Sequence, residues 1–322
     1  MTFALWRKLF RDVRVALLVV CLLFFGFEMV WVKVVQRLTG EIAPMLSLVS
    51  VVAGRAPDWL IELFFEGPGK VFQTILGGEN LRFDNPQDLL AIGFMHPVVQ
   101  VILCIWAVGR AGGAIAGEID RGTMELLLAQ PVARSRVVAA HLAIDLTVLP
   151  LLCLALWAGC TAGAALLSPF TVDPGVYHAL KMPPPDPLPV MEVHTAVFGP
   201  ALWNVGALLF AISGYTMWLS ARGRSRNRVI GLGILVTLIQ FIVNVVGQLW
   251  DGAAFLRPLT VFYYYQPQRI ALRGQWTVDP GLVWGGQPLL ELNVVAVLLV
   301  VGAVGYLLAW RTFCRRDIPA PL

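Results

Sequence analysis

Apolar residues dominate six long runs in this chain, near 15–35, 89–112, 136–167, 196–219, 229–250 and 291–311. Each meets the roughly 20-residue length that a helix needs to cross about 30 Å of hydrocarbon. The pattern predicts an all-α polytopic membrane protein, with a single transmembrane domain over 1–322 and six membrane-spanning helices. The third run is the longest, and its Pro150 is a candidate kink. Ahead of the first run the pattern changes. Trp6, Leu9, Phe10 and Val13 fall on one helical face of residues 3–14, with Arg7, Lys8, Arg11 and Arg14 around the other. That predicts an interfacial helix lying on the membrane before the first span.

The positive charges orient the spans. Residues 1–14, 110–136, 222–228 and the end of the chain from 311 hold most of the lysines and arginines. Basic loops stay inside, so both termini and the connection between spans 2 and 3 are expected in the cytoplasm. The loops 36–88, 168–195 and 251–290 are then outside. In the first, Trp59, Leu60, Leu63 and Phe64 make an apolar stripe suited to a helix on the outer membrane face. The second holds Pro183, Pro184, Pro185, Pro187 and Pro189, a stiff segment that cannot form a helix. The third carries Phe262, Tyr263, Tyr264 and Tyr265, which fit an aromatic membrane anchor or a gate over an exit path.

Composition agrees with the spans. The chain has 322 residues, of which 58% are hydrophobic and 14% charged, with a net charge of +4. So small a charge does not point to nucleic acid. Cys21, Cys104, Cys153, Cys160 and Cys314 are scattered, with no C-x-x-C pair or Cys/His cluster to hold a metal or build a disulfide scaffold. The P-loop pattern has no match, since Gly67-Pro68-Gly69-Lys70 lacks both its spacing and its hydroxyl. H-E-x-x-H and G-x-S-x-G are absent too. No catalytic residue, cofactor-binding residue or metal ligand emerges, and the chain reads as a non-enzyme.

Polar residues inside apolar runs are candidate functional groups. Glu28 lies in the first span, while His141 and Asp145 are four apart on the third and share a face. These three are the residues a proton-coupled secondary transporter would use. On the fifth span Thr237, Gln240, Asn244 and Gln248 form one polar stripe. It suits a pathway, a subunit interface or a neighbouring helix.

One stretch mixes charge, glycine and a short apolar helix. Residues 109–136 read GRAGGAIAGEIDRGTMELLLAQPVARSR. Gly122 interrupts, Thr123 is placed as an N-cap, Met124 to Gln130 make about two turns, and Pro131 ends them. Met124, Leu127 and Leu128 form its apolar side, with Glu125 beside them, and Ser135 is placed to cap the next span. The run Gly117-Glu118-Ile119-Asp120-Arg121-Gly122-Thr123-Met124-Glu125-Leu126-Leu127-Leu128, then Pro131-Val132 and Arg134-Ser135-Arg136, resembles the signature after the second span of type-2 ABC transporter permeases.

The resemblance implies a six-span permease subunit of an ABC exporter. It works as a pair of copies, identical or not, with separate cytoplasmic ATP-binding subunits that hold the ATP and Mg. The short helix is then a coupling helix. Glu118, Arg121 and Glu125 are expected as its polar contacts to the ATPase, Met124, Leu127 and Leu128 as the residues filling the ATPase cleft, and Gly122, Thr123 and Pro131 as further residues of the same partner-binding surface. The expected home is a prokaryotic inner membrane, with lipid bilayer around the spans.

Overall fold

The computed structural model describes residues 2–42, 44, 85–179, 183–188, 190–281, 283–284, 287–288 and 290–316. The stripe of Trp59, Leu60, Leu63 and Phe64 lies outside the described residues. Among those described, six helical segments are long and apolar enough to cross a membrane, so the protein is a multi-pass integral membrane protein.

The first span belongs to α1, Thr2–Arg37, which passes into a π-helical turn at Leu38–Ile42. Residues 3–14 are the first turns of this same helix and not a separate interfacial element. No Gly or Pro interrupts residues 3–25, so nothing ends the helix there. The predicted apolar face exists, but Trp6, Leu9, Phe10 and Val13 turn it onto the protein's own core. At 36 residues α1 is about 54 Å long, well beyond the hydrocarbon thickness.

The second span is broken. Helix α2, Pro86–Gly93, and helix α3, Pro97–Ala114, are separated by residues 94–96, where one unbroken run was expected. Pro97 cannot donate to the preceding turn. His96 caps α3 by accepting from the Val98 amide at 3.3 Å, and Asn85 caps α2 through Gln87 at 3.0 Å.

Two short helices follow, α4, Ala116–Asp120, and α5, Thr123–Leu128. Among the described residues the remaining α-helices are α6, Arg134–Leu167; α7, Pro174–Ala179; α8, Gly199–Arg222; α9, Arg226–Leu249; α10, Pro267–Arg273; and α11, Val294–Arg315. Ser135 does not cap α6, which already begins at Arg134 behind Ala133. Asn293 does cap α11, accepting from Val295 and Ala296 at 3.1 and 3.0 Å. Short antiparallel strand pairs lie in the connections, Phe170–Thr171 with Val190–Met191 and Thr277–Val278 with Leu292–Asn293.

The spans pack through small residues, as helices in lipid must. Helix α1 runs parallel to α6. Cys21 lies beside Leu151, Gly159 backs onto Phe25, and the Gln36 amide donates to the Leu167 carbonyl at 2.7 Å. On the other side α8 meets α11 where a Cβ added to Gly214 would stand 2.7 Å from Gly302 Cα. No side chain fits between those two backbones.

After α9 the chain turns back into the bundle. A 3-10 helix, Asp251–Leu259, runs alongside α9. Arg257 Nε donates to Asn244 Oδ1 at 3.4 Å, and the Val261 amide donates to Gln240 Oε1 at 3.1 Å. Gln240 is about 13.5 Å of helix in from the end of α9. The buried Asn204 of α8 then holds the turn, donating to the Tyr264 carbonyl at 2.9 Å and accepting from the Gln266 amide at 2.8 Å. The Tyr265 hydroxyl donates to the Phe94 carbonyl in the α2–α3 break.

Phe262, Tyr264 and Tyr265 are therefore buried, and the expected aromatic anchor on the membrane surface is an internal plug. Backbone inside a membrane is stable only where its polar groups find partners, and Asn204, Gln240 and Thr260 supply them.

Candidate functional site

The stretch between α3 and α6 is a folded platform at one end of the bundle. Helix α3 stops at Ala114, which frees amides and a carbonyl in the apolar interior. Ser220 of α8, fully buried, satisfies three of them. Its hydroxyl accepts from the Ile115 and Ala116 amides at 3.1 and 3.0 Å and donates to the Gly112 carbonyl at 2.9 Å. Helix α4 then ends in Asp120, whose carboxylate accepts from the Arg226 amide at 3.2 Å. That amide opens α9, where a negative charge is stabilised by the helix dipole.

Gly122 makes the corner between α4 and α5 at φ 71°, a left-handed backbone that glycine adopts freely. Thr123 was expected to cap α5 but is its first helical residue. Its hydroxyl turns back to bond the Glu118 carboxylate, which also pairs with Arg121 at 2.8 Å. Glu118, Arg121 and Thr123 thus form a clasp around the corner.

The phase of α5 differs from the sequence reading. Met124 was expected to enter a partner's cleft, but it is 1% exposed and buried among Val137, Val138, Met217 and Phe313. Leu127 and Leu128 pack against the same cluster and are half-buried. Together they root the helix in the bundle. The outward face is Arg121, Glu125, Leu126, Ala129, Gln130 and Pro131. Leu126, 71% exposed, is the apolar residue at its centre. A run of three leucines carries no phase of its own, so the sequence did not single it out.

The other segments at this end join the platform. Arg134 donates to the Phe313 and Arg316 carbonyls, and Arg316 donates to the Ala221 and Gly223 carbonyls at 2.9 Å each. Burial, with the Arg224 charge adding to it, lowers the Arg316 guanidinium from its ordinary value.

Just inside the bundle, Arg110 of α3 meets Asp145 of α6 at 2.7 Å. Their side chains are 8% and 1% exposed. Arg110 also donates to the His141 carbonyl at 2.7 Å, and the Tyr306 hydroxyl of α11 bonds the other Asp145 oxygen. The suggested His141–Asp145 pair is replaced by this three-helix cluster, to which His141 contributes its backbone. Arg110 lies one turn before the platform, so α3, α6 and α11 are tied together directly above it.

Glu28 is fully buried, with both carboxyl oxygens unpartnered among the described residues, against Gly93 and Gly159. Gly159 and Asp145 are fourteen positions apart on α6, or about 21 Å of helix. Glu28 therefore does not join Asp145 and His141 in one proton path.

The polar stripe of α9 faces its own chain. Thr237 meets the Tyr215 hydroxyl at 2.6 Å, while Gln240 and Asn244 hold the re-entrant segment. Gln248 is half-buried on the same side. Thr237, Gln240 and Asn244 thus find partners within this chain.

No curated protein matches the sequence. The sequence family described as "ABC-2 family transporter protein" matches residues 6–318, nearly the whole chain. Members of this family are the membrane-spanning transport subunits of ABC transporters, separate from the ATPase. With six spans and a folded platform between the second and third, this chain belongs to the ABC-2 transporter family as a type-2 permease.

Proposed function

We propose that this chain is the membrane half of an ATP-driven exporter and that residues 116–131 are the surface through which a separate ATP-binding subunit moves it. One observation carries the reading: Leu126 projects outward while Met124, Leu127 and Leu128 root the same helix in the bundle. A solvated loop has no reason to be anchored so firmly and to present a leucine. Glu125 and Gln130 flank it, and Arg121 and Pro131 complete the face. Glu118 and Thr123 serve the corner that holds the face in place.

The functional unit is a pair of permease copies with two ATP-binding subunits, which carry the ATP and Mg. Closure of those subunits presses on α5. The ties from Ser220, Asp120 and the Arg110–Asp145 cluster pass that movement to α3, α6, α8, α9 and α11 as a rigid-body rearrangement. The outward direction follows from the resemblance of residues 117–136 to exporter permeases. The basic end of the bundle lies in the cytoplasm of a prokaryotic cell, and the membrane is its inner one.

A tagged pull-down from native membranes in mild detergent tests this. A co-purifying P-loop protein with ATPase activity, lost on Glu125→Lys, is the expected result. Membranes that transport on a proton gradient alone, with no P-loop protein captured, contradict it.

A further inference from the structure

An apolar groove of about 480 Å³ opens between α6, α8 and α11. That volume falls within the roughly 300–1,000 Å³ of single small-molecule sites. Val138, Leu142, Phe210 and Leu307 line its body, and Arg136 and Trp310 are among the residues at its basic end. Arg136 is exposed, and among the described residues its side chain has no hydrogen-bond or ion-pair partner. Its neighbours Arg110, Arg134 and Arg316 are all engaged. Trp310, 49% exposed, is the amphipathic ring that favours the headgroup level. Leu142 lies about 9 Å of helix further in. The groove therefore runs from a free cation at the interface to an apolar interior.

We infer that this groove binds one anionic phospholipid, its headgroup phosphate on Arg136 and an acyl chain along Leu142, Phe210 and Leu307. The charge selects an anionic amphiphile, and the depth selects a lipid over a soluble anion. The assignment to the inner leaflet rests on the cytoplasmic placement of this end of the bundle. The floor of the groove is the stacked pair Phe210–Tyr306, with ring centroids 5.5 Å apart. Tyr306 is also the residue whose hydroxyl holds Asp145. A chain lying on that ring steadies the cluster joining α3, α6 and α11, so the lipid acts as a structural ligand of the platform.

Native mass spectrometry of the detergent-purified protein, titrated with phosphatidylglycerol or phosphatidylcholine, tests the site without any ATPase partner and without regard to sidedness. Its failure is therefore separable from failure of the coupling reading. The wild type should retain one phosphatidylglycerol in preference to phosphatidylcholine. Arg136→Gln should weaken that retention by about tenfold, the size of one charge-assisted contact. Ala303→Trp, which fills the groove from an exposed position, should expel the lipid while leaving the protein folded by thermal melting. Equal retention of the two lipids overturns the inference, as does retention unchanged by Arg136→Gln. An Ala303→Trp variant that loses dimer mass instead of lipid assigns the groove to a second copy of the chain and also overturns it.

Discussion

Leu126→Asp is expected to abolish ATP-driven transport while leaving the chain in the membrane at normal levels. The side chain is 71% exposed, so the substitution removes no internal contact. Against a partner the balance is different. Burying a leucine contributes about 1.5–3 kcal/mol, and central anchors of this kind dominate interfaces. Losing about 2 kcal/mol weakens association about thirtyfold. A carboxylate driven into an apolar cleft without a partner costs more again. Met124→Asp should fail differently, because that residue is 1% exposed in the bundle. It should reduce folded protein, read as yield and thermal stability, before coupling can be measured. Transport that survives Leu126→Asp in a well-expressed variant would remove α5 from the coupling surface.

Asp145→Ala is expected to be the most damaging single change inside the spans. It leaves Arg110 buried, with its ion-pair partner gone and the Tyr306 hydroxyl unbonded at that end. Breaking a buried pair from one side costs about 3–5 kcal/mol. The triple variant Arg110→Met, Asp145→Leu and Tyr306→Phe should recover most of that loss, since a buried polar cluster exchanged for packed apolar groups is close to neutral. Thermal unfolding in detergent measures both. A melting temperature unchanged by Asp145→Ala would mean that the three helices are held together by other contacts.

The spans were legible because a helix in lipid must be apolar for about twenty residues, and no soluble fold imposes that length. Their internal breaks were harder. Pro97 marks the interruption of the second span, but the apolar run continues across it and hides the break. Residues 251–273 looked like an outside loop because their content is mixed. Their inward path depends on Asn204 and Gln240, which lie far away in the sequence and bond to backbone rather than to any patterned side chain.

The polar stripe of α9 was visible from its spacing, but its partner was not, since spacing fixes a face and says nothing of what covers it. The platform was visible as a motif, and its direction was not. Gly122 sets the corner, and only the docking of Met124 among Val137, Val138 and Phe313 decides which of the leucines faces out. Ser220 gave no signal, because one serine on an apolar helix is unremarkable until it meets the end of α3.

The most direct test places a photo-crosslinking amino acid at position 126, and in a parallel variant at position 124, in native membranes during turnover. The expected result is a covalent adduct between position 126 and a P-loop subunit, and none from position 124. The absence of any adduct at 126, or equal adducts from both positions, would contradict the claim that this face of α5 is where the ATPase takes hold.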